Sequence, residues 1–203
     1  MNNLIENIIA LEWDEFQKVN NEGGRTSCQN DWKTFQIMRR SQFLAWNEEM
    51  QESYHSDLVT TINNGRNLLT EKYARMMEST APEKYQALKD KLPLITEEKK
   101  KLIERITQIS IKWQEEFARE YPNISEQGRP IHADEDGPFT TSIETYERGE
   151  LSTYSEKTLK LYNKFITQLL EENKNLSKIV VENTVREYGF ASLDQAEKKI
   201  ANT

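Results

Sequence analysis

Glycine and proline are scarce in this sequence, seven and five of 203 residues, so few backbone breakers interrupt it. Histidine is scarcer still. His55 and His132 stand alone, with no Glu-x-x-His pair or His-Glu-x-x-His motif to set ligands on one helix face, which argues against a bound metal. The acidic stretch His132-Ala133-Asp134-Glu135-Asp136 lacks the glycine and the spacing of a calcium loop and reads as solvated surface. No phosphate-binding loop and no dinucleotide fingerprint occurs, so no cofactor is expected. One cysteine, Cys28, cannot close an internal disulfide. With no basic start and long apolar run after Met1, the expected compartment is a reducing cytoplasm. No apolar run approaches the roughly 20 residues that span a bilayer, so membrane insertion is not expected.

Positive charge is also in deficit. Lysine and arginine number 27 against 34 acidic residues, a formal charge of −7, which opposes non-specific association with nucleic acid. Lys99-Lys100-Lys101 is the only tight basic run, and Glu97, Glu98 and Glu104 flank it, so it reads as the solvated face of a helix.

What remains is apolar spacing of three and four, the period of the α-helix. Leu4, Ile5, Ile8, Ile9, Trp13, Phe16 and Val19 mark a first helix, ended by Asn20-Asn21-Glu22-Gly23-Gly24. Asn30 or Asp31 can cap a long second helix reaching about Asn63, with a break at Asn64-Gly65. A third runs from about Arg66 to Glu78, and a short one starts near Pro82 and closes at Pro93. Thr96, Glu97 and Glu98 open the clearest amphipathic helix, with Leu102, Ile106, Ile109, Trp113 and Phe117 along its seam. Residues 122–139 are expected to form a long surface loop. Ser142, Ser155, a start near Leu176 and Ser192 begin the last four helices; Gly189 makes a left-handed cap and Ser192 with Gln195 a capping box. The β-branched run Ile179-Val180-Val181 lies inside helical spacing, and no repeat is evident. The expectation is an all-α, compact bundle of about seven or eight helices forming a single domain over residues 1–203.

Three segments carry candidate chemistry. In Gly23-Gly24-Arg25-Thr26-Ser27-Cys28-Gln29-Asn30-Asp31, a polar loop runs into a helix start, where backbone amides and Arg25 could hold an anion and Cys28 could serve as a nucleophile; an ordinary connecting loop is the alternative. On the second helix, Trp32, Phe35, Phe43, Trp46 and Met50 converge on one face around Arg39, bordered by Gln42. A guanidinium so placed must be paired internally or face a pocket. The segment 141–155 crowds hydroxyls and carboxylates between two caps, with Glu144 and Arg148 in favourable helical pairing order. Glu144, Glu150 and Tyr154 are its candidate acids or bases.

Several blocks taken together resemble a bacterial family of unknown function: residues 23–31; Gly65-Arg66-Asn67-Leu68 with Glu71-Lys72-Tyr73-Ala74-Arg75-Met76-Met77; Thr145 to Leu151 with Thr153-Tyr154-Ser155; and Tyr188-Gly189-Phe190 with Leu193, Ala196 and Glu197. The resemblance covers nearly the whole chain and implies one domain of bacterial type. It assigns no catalytic role. The residues themselves point to a site for a polar, anionic small molecule, binding or enzymatic, contacted by Arg25, Gln29, Arg39, Gln42, Trp46 and Arg148, with Cys28, Glu144, Glu150 and Tyr154 as catalytic candidates. The alternative is an interaction module that docks a protein partner on an exposed aromatic helix face. Oligomeric state is left open.

Overall fold

The apolar stripes predicted from spacing become buried faces in the computed structural model, which describes residues 3–21 and 23–202. Among these residues there are eleven α-helices and no strand: α1 Asn3–Gln17, α2 Trp32–Ala45, α3 Glu48–Asn63, α4 Leu68–Thr80, α5 Pro82–Leu88, α6 Glu97–Glu120, α7 Pro122–Glu126, α8 Ile143–Leu151, α9 Glu156–Glu171, α10 Leu176–Glu187 and α11 Leu193–Ala201. No helix among them is long and apolar enough to cross a membrane.

The main core gathers Ile5, Ile8 and Ile9 of α1, Phe43 of α2, Met50 and Leu58 of α3, Ile106 and Trp113 of α6, and Leu159 and Ile166 of α9. Each such side chain contributes about 1.5–3 kcal/mol by leaving water. Around this centre α10 lies along α2, α4 along α8, and α6 along α9. A satellite cluster of Phe117, Tyr121, Val185, Leu193 and Ala196 seats α11 on the end of α6.

The long second helix expected from the sequence is instead two helices. Trp46 and Asn47 both adopt extended backbone, and the Asn47 side chain accepts from Met50 N at 3.0 Å to start α3 anew. The buried amide of Gln51 then donates to the carbonyl oxygens of Phe43 and Trp46 at 2.9 and 3.0 Å, satisfying the end of α2. The cap was present in the sequence as Asn47-Glu48-Glu49, masked by unbroken apolar spacing.

The long loop expected over 122–139 is also more ordered than that. It begins with α7, contains a 3-10 turn at Ala133–Glu135, and closes with an isolated antiparallel bridge between Gly137 and Thr140. The reason is tertiary. Glu197 of α11 accepts from Asn123 N and Ile124 N, both at 2.9 Å, capping α7 from 74 residues away. The other ends follow their local signals: Gly65 and Gly189 have φ of +69° and +91° at the ends of α3 and α10. Ser192 accepts from Gln195 N at 3.2 Å, while the Gln195 side chain reaches back to Ala191 N. The larger helix count arises where a cap divides a segment that spacing alone joins, at α2 and α3, and where a distant cap orders part of an expected loop, at α7.

Candidate functional site

Arg39 faces inward from α2, and three side chains already occupy it. Its Nε and Nη2 grip the Glu12 carboxylate of α1 at 2.6 and 2.5 Å. Its Nη1 reaches Gln42 at 2.8 Å and Glu150 of α8 at 3.1 Å, and the Phe43 ring lies 4.8 Å from the guanidinium carbon. Lys72 of α4 completes a quartet, its Nζ 2.8 Å from Glu150 and 3.7 Å over the Tyr146 ring. Tyr54 donates to Glu12 at 2.6 Å and Tyr154 to Glu150 at 2.9 Å. Two buried cations thus face two buried carboxylates.

Burial alone would raise the Glu150 carboxyl, but Arg39 and Lys72 override it and hold the group well below the usual range. Burial would likewise lower Lys72, and Glu150 reverses the sign. Tyr54 and Tyr154 are pushed far up by burial and by the neighbouring carboxylates, so both remain protonated donors. The space beside this quartet is about 30 Å³, reached past Phe35, Leu69 and Tyr73, with room for a water or two and nothing larger. The quartet therefore acts as a fastener, tying α1, α2, α4 and α8 in one arrangement. Replacing a buried charge cluster whole by apolar residues of similar volume is often neutral for stability, whereas removing one partner from it is costly.

The other sequence-predicted residues are dispersed. Arg25 is spent on Asn30 at 2.8 Å, the Gln29 carbonyl at 2.7 Å and the Gln17 side chain. Gln29 is buried and faces inward: its amide donates to Phe16 O and Val19 O, closing the end of α1 as Gln51 closes α2. Cys28 is exposed in a 3-10 turn, its sulfur 3.1 Å from the Thr26 hydroxyl. Trp46 is enclosed by Phe43, Tyr54, Tyr154 and Tyr162. Glu144 accepts from Ala133 N at 3.0 Å and from Arg148 at 2.9 Å. Arg25, Arg39 and Arg148 thus share no pocket, contrary to the arrangement expected from the sequence.

Arg148 alone of these residues borders a cavity of useful size, a groove of about 260 Å³ between α4 and α8. These helices run antiparallel. Ser79 and Thr145 both donate to the same oxygen of Asp136 at one level, and Gly149 meets Lys72 and Met76 at the next. The close approach requires glycine, since a Cβ there would lie 2.8 Å from Met76 Cγ and 3.0 Å from the Lys72 carbonyl. Arg75, Glu78 and Ser79 form one wall, Thr145, Arg148 and Ser152 the other.

The charge in this groove, and beside it at Lys99 of α6, is unevenly committed. Arg148 pairs with Glu104 and Glu144. Arg75 donates only to the Pro93 carbonyl, and Lys99 only to the Ser152 carbonyl at 3.2 Å; among the described residues neither has a carboxylate within ion-pairing distance. Burial, and then Arg75, lower the Lys99 pKa, with Arg66 adding to the fall and Asp57 and Glu71 opposing it.

Spacing missed Glu12 and Lys72, although each interrupts an apolar stripe: Ile5, Ile8, Ile9, Phe16 around Glu12, and Leu68, Leu69, Met76 around Lys72. Those interruptions were the available signal. Arg75 and Lys99 had none, because each sits among charged neighbours on its own helix.

No curated protein and no solved structure matches the chain. Residues 2–198 match the family described as protein of unknown function (DUF4125), and the chain belongs to that family.

Proposed function

We propose that this member of the DUF4125 family binds a small anionic ligand in the groove between α4 and α8. The observation that carries the reading is the pair Arg75 and Lys99. In a chain with a formal charge of −7, Arg75 on the groove wall and Lys99, which donates to the carbonyl of the wall residue Ser152, have only backbone carbonyls as hydrogen-bond partners among the described residues. Arg75 acts on Lys99 as a like charge that Asp57 and Glu71 offset only in part, and an incoming carboxylate or phosphate would relieve that repulsion. The hydroxyls of Ser79, Thr145 and Ser152 on the same walls already donate to Asp136 and to the Arg148 carbonyl, so recognition falls to the cations.

Arg39, Gln42, Glu150 and Tyr154 then serve the site from behind. The Lys72–Glu150 pair clamps α4 to α8 and fixes the width of the groove. Docking of a protein on the aromatic face of α2 has less support, because Phe43 and Trp46 of that face are buried in the core.

The test is calorimetric titration of the purified protein with inorganic phosphate and with succinate, repeated on Arg75→Gln and Lys99→Gln. Saturable binding of at least one anion, weakened about tenfold by either substitution while circular dichroism is unchanged, is the expected result. Absence of binding, or affinity indifferent to both substitutions, would overturn the reading.

A further inference from the structure

Among the described residues, the two large apolar side chains most exposed to water are Leu94 at 95% and Phe139 at 102%. Each follows an exposed proline, Pro93 and Pro138. Though distant in sequence, the two dipeptides are tethered to the same side of α4. Arg75 donates to the Pro93 carbonyl, and Ser79, about one turn further along α4, donates to Asp136, which leads into the Pro138-Phe139 turn. Arg75 and Ser79 both line the groove, so both tips are tied to its α4 wall.

Both tips can leave water with few hydrogen bonds broken, beginning with a proline that carries no amide N–H. At the second tip Gly137 N donates to Thr140 O at 2.9 Å, and Thr140 N donates back to Gly137 O at 3.2 Å. The base of that turn is fixed by Ser142 N, which donates to Asp136 at 2.6 Å, and by Arg129, which donates to Thr141 O at 3.1 Å. At the first tip Leu92 N donates to Lys89 O at 3.1 Å, and Arg75 serves the Pro93 carbonyl. A segment entering an apolar medium must bring its backbone groups already paired, and these two largely do. Exposed Lys89 and Lys91, with Asp90 between them, lead into the Leu94 tip. Apolar and cationic side chains together suit the boundary between acyl chains and phosphate headgroups. Exposed Asp134 and Glu135 precede the other tip, so Phe139 has only apolar contact to offer.

From this arrangement we infer that the groove face rests on a phospholipid surface, with Leu94 and Phe139 entering the acyl boundary and Arg75 meeting a headgroup phosphate. The inference rests on the anion site proposed above and names its anion as a lipid phosphodiester. Contact of this kind needs no spanning helix, only tips that enter the interface. A protein partner is served best by one continuous apolar patch, whereas here two separate tips are tied to the wall of a polar groove. The formal charge of −7 holds the rest of the surface away from an anionic bilayer, so contact is confined to this face.

The test is co-sedimentation of the full chain with vesicles of phosphatidylcholine and phosphatidylglycerol in equal parts, beside calorimetric titration with inorganic phosphate and sedimentation of the protein alone. Leu94→Ser and Phe139→Ser change side chains that stand in water, so the fold is kept. The parent should bind the vesicles. The double serine variant should bind them at least about tenfold more weakly with phosphate affinity unchanged, while Arg75→Gln weakens both. If the parent does not bind vesicles, or the double variant or Arg75→Gln binds them equally well, the lipid inference fails. Phosphate titration then decides separately whether the anion site stands. If the parent is a dimer that Leu94→Ser or Phe139→Ser dissociates, the tips form a protein contact and the lipid inference is overturned.

Discussion

Glu150→Gln is the sharpest probe of the interior, because the substitution keeps shape and removes one charge. Glu150 receives Lys72 at 2.8 Å, Tyr154 at 2.9 Å, Arg39 at 3.1 Å and Gln42 at 3.3 Å. Glutamine leaves Glu12 as the only carboxylate for two buried cations and turns an amide N–H toward one of them. Breaking a buried pair from one side costs about 3–5 kcal/mol. For a chain of this length that lowers the melting temperature by roughly 6–20 °C. Adding Lys72→Met removes the orphaned ammonium and should recover at least half of the loss, so the two substitutions are strongly non-additive. Thermal and urea denaturation followed by circular dichroism at pH 7 measure both. The sign with pH is equally definite. Glu150 is held below its ordinary value of 4.5, so its contribution is complete above that pH and is lost as pH falls below it. The unaltered protein should weaken steeply there and the variant less so. A variant within about 1 kcal/mol of the parent, or additivity within about 0.5 kcal/mol, would refute the fastening role.

Three further outcomes follow from single sites. Glu147, partly buried and hydrogen-bonded by Ser110, is pushed up to about 8 by burial and by Glu150. Its neutral form is favoured on folding, so stability should fall as pH rises from about 4.5 to 8 and then level; Glu147→Gln should abolish that slope and be on the order of 2 kcal/mol more stable than the parent at pH 8 in urea denaturation. Gly149→Ala raises helix propensity yet drives a methyl into Met76 and the Lys72 carbonyl, so a net loss of about 1 kcal/mol is expected, opposite to the usual effect in a helix. A gain in melting temperature would contradict the close packing of α4 on α8. Asn47→Ala removes the cap that starts α3 and should cost about 1 kcal/mol by the same assay. No change would mean that Gln51 alone holds the junction.

Much of the helical architecture was legible because its causes are local. Apolar spacing places Ile5, Ile8 and Ile9 or Ile106, Trp113 and Phe117 on one face whatever they pack against. Caps at Thr96, Ser142, Ser155 and Ser192 act within three residues. Gly189 takes the left-handed conformation that ends α10. Arg39 could be assigned to the inner face for the same reason, since its direction is set by the helix that carries it.

Partners are another matter. Whether Arg39 meets solvent, a ligand or an internal carboxylate depends on residues 27 and 111 positions away in the chain, Glu12 and Glu150. Glu197 caps α7 across 74 residues, which made order out of a segment whose composition suggested a loop. The groove lies where Gly149 lets α4 pack against α8, setting Arg75 and Glu78 on one wall opposite Arg148 on the other. The amino-acid order settled which faces each helix would hide, because that is decided within a few turns. The packing of one helix on another settled which charges were cancelled and which were left over, because electrostatic partnership depends on distance in space.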